Sequence, residues 1–177
     1  GLEAVFQNVS RTRRWARVDG LVMVVLHLDV RVTADDQVLV VDLEPDLTPL
    51  RENQLNAISD ERACAQFYSN VGISFIADGR LDEARRYLTL AVETDPRSAG
   101  AWANRATLLT RMGALTEARA DFERALRADS QAENALDGYV AVLRLLGAPE
   151  DLRRAAKLER KAQRIRERNP YYLEHLA

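Results

Sequence analysis

The side chains able to do chemistry are sparse, and one pair has an informative spacing. His27 and Asp42 are 15 residues apart and flank Thr33-Ala34-Asp35-Asp36, a stretch suited to a hairpin turn. Two adjacent antiparallel strands can bring an imidazole and a carboxylate at that separation side by side on one face. Such a pair suits proton transfer. Of thiols there is one, Cys64, downstream of the pair at the start of a helical segment, where a packing role fits it better than nucleophilic attack. A single cysteine forms no internal disulfide, and no Cys/His cluster has zinc spacing, so no metal and no cofactor is expected.

A second group is basic. Arg153, Arg154, Lys157, Arg160, Lys161, Arg164, Arg166 and Arg168 crowd one segment near the end of the chain. Acidic Glu150 and Asp151 open that segment and cations close it, which complements the helix macrodipole without any ligand. Aromatic residues for base stacking are not interleaved, and the net charge is -2, so a solvated outer helix is expected and nucleic acid is not an expected partner. The longest apolar run, Leu21 to Leu28, is interrupted by His27 and too short to cross a bilayer, so no membrane span is expected. The first residues lack the basic and apolar regions of a signal peptide, and a soluble chain is expected. They also lack an initiator methionine, so the natural start is expected upstream. Nothing here indicates a compartment.

The elements that must position these residues change character along the chain. Leu21 to Val32 and Gln37 to Leu43 are rich in valine and leucine and predict two antiparallel strands, with a third over Glu3 to Val9. Glu44-Pro45-Asp46 ends that sheet segment, because proline cannot donate to a ladder, and the stretch to Ser59 reads as a linker or crossover. From Ser59 a different logic holds. Ser59 caps a first helix with Asp60 and Glu61 in its first turn. Tyr68, Val71, Gly72 and Phe75 recur at helical spacing, and Ala84, Leu88 and Ala91 form the inner face of a second helix, which Pro96 stops.

These residues repeat. Gly79, Gly113 and Gly147 are 34 apart, as are Tyr68 and Trp102, Ala84 and Ala118, and Ala91 and Ala125. Trp102, Ala106, Leu109, Gly113, Ala118, Phe122 and Ala125 thus form a second helix pair, and Ser130 is expected to cap the next helix. A third unit keeps Leu136, Tyr139, Leu143 and Gly147, then runs from Pro149 to about Arg168 as a longer helix. Tyr171, Tyr172, Leu173 and Leu176 predict a short covering helix.

Large, small and turn residues recurring in register make residues 65–130 resemble two tetratricopeptide repeats, with a divergent third over 131–168. The fold expected is therefore mainly α: a right-handed tetratricopeptide solenoid with a small N-terminal antiparallel β-sheet. Its units would be a partial sheet segment over 1–50, a linker over 51–59 and a solenoid over 60–177. Within the solenoid, repeats fall at about 65–98, 99–132 and 133–169, with a capping helix at 170–177. The resemblance implies a concave groove lined by the first helix of each pair, taking a protein or peptide segment. By position, that groove falls on Ser69, Asn70, Ile73 and Ile76, then Ala103, Asn104, Thr107 and Arg111, then Asp137, Ala141 and Arg144. Asn70 and Asn104 match the family's frequent groove asparagine, which can hydrogen-bond a peptide backbone, whereas the third unit has Gly138 there.

The front segment is similar to the back half of a transglutaminase-like domain. His27-Leu-Asp-Val-Arg-Val and Val40-Val41-Asp42 match that family's strand histidine and the aspartate 15 residues later, and Gly1 to Phe6 resemble the strand after its nucleophile helix. The resemblance implies that His27 would be a general base and Asp42 its orienter, acting on a thiol upstream of Gly1. As it stands the chain is expected to be no enzyme, and a longer parent would be a cysteine peptidase or acyl-transferase. A transglutaminase-like segment followed by tetratricopeptides and the Asn169-Pro170-Tyr171-Tyr172 end resembles a group of bacterial proteins. Self-association through an open sheet edge or the exposed end of the repeats is a further expectation.

Overall fold

A computed structural model describes residues 3–18, 21–34, 37–42 and 55–167 of the chain. Backbone strands run over β1 (Glu3–Val18), β2 (Leu21–Ala34), β3 (Gln37–Asp42) and β4 (Leu55–Ala57), in the order β3-β2-β1-β4. β2 pairs antiparallel with β3 from Asp29↔Asp42 to Ala34↔Gln37, and β1 pairs antiparallel with β4 from Gln7↔Ala57 to Val9↔Leu55. β1 is longer than the strand expected over Glu3 to Val9, and β4 falls in the stretch read as a linker. Three residues between turn signals are too few for a period to show in a sequence; pairing with β1 is what makes them a strand.

Six helices follow among the described residues: α1 (Asp60–Ala77), α2 (Leu81–Thr94), α3 (Ala99–Arg111), α4 (Leu115–Ala128), α5 (Glu133–Leu146) and α6 (Pro149–Arg166). The three repeated glycines end the first helix of each pair. Gly79, Gly113 and Gly147 have φ of 75°, 78° and 73°, a left-handed conformation that costs any side chain with a Cβ. At the first turn the Gly79 N–H donates to the Ile76 carbonyl and the Arg80 N–H to the Phe75 carbonyl, which satisfies carbonyls the helix end would otherwise leave open.

Starts are equally local. The Arg62 N–H donates to Ser59 Oγ and the Ala101 N–H to Ser98 Oγ, while Pro149 opens α6. α5 departs from expectation, for its N-cap is Ala132 rather than Ser130. The Asp129 carboxylate accepts from the Gln131 N–H at 2.8 Å and holds Ser130 in a turn, so the helix begins after it. The capping helix expected over 170–177 lies outside the described residues.

The chain divides into two compact units. One comprises 1–16 and 24–96, with α1 and α2; the other comprises 17–23 and 97–177, with α3 to α6. In the first, Ala84, Leu88 and Ala91 are fully buried, and Gly72 lets α1 and α2 close: a Cβ there would sit 2.6 Å from Leu88 Cγ. In the second, Phe122 of α4 stacks on Tyr139 of α5, with ring centroids 6.2 Å apart, in a core shared with Ala106, Leu109 and Leu143. Among the described residues no helix is long and apolar enough to cross a membrane, and no group of His, Cys, Asp and Glu could hold a metal ion.

Candidate functional site

The positions assigned to a groove fall largely on the buried side of the first helices. In α1, Ser69, Ile73 and Ile76 are buried and Asn70 is half-buried, while Tyr68, Val71 and Phe75 occupy the half-buried opposite side. Gln66, one turn before Asn70 and not among the expected groove residues, is buried at 4% exposure, and its Oε1 has no hydrogen-bond partner. A buried amide oxygen left unpaired costs about 1–3 kcal/mol. A glutamine one turn ahead of an expected groove asparagine is the signal that could have singled it out.

In the second unit Ala103, Asn104 and Thr107 are buried and Arg111 is half-buried. The Thr107 hydroxyl donates to the Ala103 carbonyl at 2.9 Å, so its donor capacity is used inside α3. Asp137 is ion-paired with Arg166 of α6, and Arg144 donates to both carboxylate oxygens of Glu159 at 2.8 and 3.0 Å. Ala141 lies between them on α5 and is half-buried. The absence of an asparagine at Gly138 has a physical cause: a Cβ there would lie 2.6 Å from Phe122 Cε1. Packing of α4 on α5 therefore excludes any side chain from that position.

Two polar constellations escaped the sequence. Asp121, 2% exposed, accepts from Arg105 through Nε at 2.7 Å and Nη2 at 3.0 Å, and from Arg124 at 2.8 Å. Both guanidiniums also lie over the Trp102 ring, at 4.8 and 4.9 Å from its centroid. Farther along α4, the Tyr139 hydroxyl donates to Glu123 at 2.5 Å, Arg154 pairs with Glu123 at 3.0 Å, and Arg119 joins Asp151 at 2.8 Å. Burial, with the Glu123 hydrogen bond second, pushes the Tyr139 phenol well above its ordinary range. Burial would also raise Glu123, but the Tyr139 hydroxyl, Arg154 and Arg119 together outweigh it and hold the carboxyl below its ordinary value. Neither constellation contains a nucleophile beside a base; both tie helices together. They join residues from separate helices, so no local pattern announced them.

His27 and Asp42 lie on paired strands. Asp42 is opposite Asp29, which sets His27 two positions along β2 from that pair.

Residues 75–143 match the family model described as tetratricopeptide repeat. No curated protein matches the chain. Among solved structures the chain is similar to the tetratricopeptide domain of Arabidopsis OM64, with 17% identity, 62% of this chain and 88% of that one covered, and a TM-score of 0.56. It is similar to the first tetratricopeptide domain of Spaghetti (RPAP3) bound to the HSP90 peptide SRMEEVD, with 21% identity, coverage of 65% and 91%, and a TM-score of 0.56. The same domain of human RPAP3, determined by NMR, gives 21% identity, coverage of 65% and 88%, and a TM-score of 0.55. At these identities the likeness is one of fold, and the helical region has the tetratricopeptide fold.

Proposed function

We propose that the tetratricopeptide region of this chain is a peptide-binding scaffold, with the first helix of a pair as the binding face within each unit. The fold carries this reading, since it is shared with a tetratricopeptide domain solved with a peptide bound. Asn70 and Asn104 would add backbone hydrogen bonds, over a floor that includes buried Ile73 and Ile76. The chemistry of these positions selects the partner. Ser69, Asn70, Ile73, Ile76, Ala103, Asn104 and Thr107 are uncharged, while Asp137 and Arg144 are already ion-paired. Arg111 is the one further charged residue of the set, so an uncharged segment suits the groove better than an acidic one. Selection from a displayed random-peptide library tests this. Enrichment of uncharged sequences, lost when Asn70 and Asn104 are both changed to alanine with helicity intact, is the expected result. Equal capture by that variant sinks the reading, and tight binding of SRMEEVD sinks its preference for uncharged segments.

A second reading rests on strand register. With Asp42 opposite Asp29 and His27 two positions along, residues 1–50 serve as the imidazole and carboxylate half of a transglutaminase-like sheet in a bacterial protein. His27 would act as base and Asp42 as orienter for a thiol outside residues 1–177. It requires a cysteine at a helix N-terminus in the parent coding sequence. A parent without one reduces the likeness to ancestry.

A further inference from the structure

The second helix pair shows how this chain makes the outer side of a pair compatible with water. The Trp102 ring is covered by Arg105 and Arg124, and buried Asp121 accepts from both. Thirty-four residues earlier, the same three positions are Val71, Tyr87 and Leu90. The polar cluster over this position is gone. Phe67 sharpens the contrast, since it stands where the later pairs have Ala101 and Ala135. Those alanines are 2% and 0% exposed, whereas Phe67 is 56% exposed and Leu90 is 42% exposed.

The rings on this side of α1 and α2 are continuous. Phe67 meets Tyr68 at 5.8 Å between centroids, Tyr68 meets Tyr87 at 6.4 Å, and Tyr87 meets Phe75 at 5.3 Å. Arg80 closes the row 4.3 Å over Phe75. Contiguous exposed apolar surface with a polar rim marks an interaction site. The row lies on the side of α1 opposite buried Ser69, Ile73 and Ile76, so it is separate from the proposed groove.

We propose that this aromatic face is the contact through which two copies of the chain associate. Its rim carries both signs of charge, with Asp60, Glu61, Arg80, Asp82, Arg86 and Glu93 all exposed or at its edge. A twofold-related copy presents the same patch reversed, so a mixed rim can pair with itself, whereas a rim of one sign would repel an identical face. Aromatic anchors at the centre and charges at the edge match the anatomy of a specific interface. Cys64, expected from the sequence to pack, instead stands exposed one helical turn before Phe67 and gives a built-in reporter for the geometry.

The test is analytical ultracentrifugation of the full chain over a wide concentration range, with bismaleimide cross-linking at Cys64. The expected result is a reversible dimer that cross-links through Cys64. Phe67→Ser or Leu90→Asp should each weaken it by about tenfold or more. Leu145→Ser, which removes the exposed leucine of α5 in the other unit, should leave it intact. Circular dichroism verifies that each variant keeps its helices. A monomer at every concentration overturns the proposal, and so does a dimer that Phe67→Ser and Leu90→Asp fail to weaken. Retained peptide capture by the monomeric variants would separate this interface from the groove.

Discussion

The first and second helix pairs share a backbone plan and differ in how they finish their outer side. Both turn at a glycine with positive φ, and both bury alanines at matching positions, Ala84 with Ala118 and Ala91 with Ala125. On the outer side the second pair spends three charged residues to shield one tryptophan, and the first leaves four rings and a leucine partly open. A 34-residue period therefore dictates turns and close approaches, where only certain residues fit, and leaves the remaining surface free to specialise.

The sharpest way to break this comparison is to remove the buried charge. Asp121→Ala leaves Arg105 and Arg124 without their shared acceptor, and a loss of about 3 kcal/mol is expected in urea unfolding. Replacing the whole set by the first pair's residues, with Arg105→Val, Asp121→Tyr and Arg124→Leu, should instead stay within about 1 kcal/mol of the parent, because an intact apolar set can substitute for a buried ion cluster. Comparable losses for the single and triple changes would show that position, not pairing, sets the energetics.

Steric limits come next. Gly138→Ala drives a methyl into Phe122 and should cost about 2 kcal/mol in the same measurement. An unchanged midpoint would mean that α4 and α5 are less tightly packed than their contacts require.

The Tyr139 and Glu123 pair sets a pH window. Glu123 is held below its ordinary value of 4.5, so its contribution is present above that pH and is lost as pH falls through the lowered value. Tyr139 is raised from 10.0, so its contribution is present below pH 10 and is lost as pH rises through the raised value. Tyr139→Phe should remove the alkaline loss and cost about 1.5 kcal/mol near neutrality, read from thermal melts across pH. An alkaline limb that persists in Tyr139→Phe would assign it to other groups. The smallest effect is expected at the first helix start, where Ser59→Ala removes the cap to Arg62 and should cost about 1 kcal/mol.

Much of the helical plan was legible because its signals are local. Ser59 as a cap, Pro149 as an opener and the glycine turns depend on a few neighbouring residues and their allowed φ, and all stand where the sequence put them. The start of α5 was misread because Asp129 competes with Ser130 for the local backbone, and two adjacent polar residues do not announce which will win. The aromatic row was visible residue by residue, yet its exposure was not, since an identical helical spacing serves a core face and an open one.

The sequence by itself determined the period, the turns and the small residues where helices approach, because these rest on backbone conformation and on the absence of a Cβ. Only the tertiary structure decided which side of α1 is buried, why Gly138 can carry no side chain against Phe122, and that Asp121 neutralises arginines from two helices. Each of those depends on what a distant segment brings into contact, and burial and desolvation do not exist until it arrives.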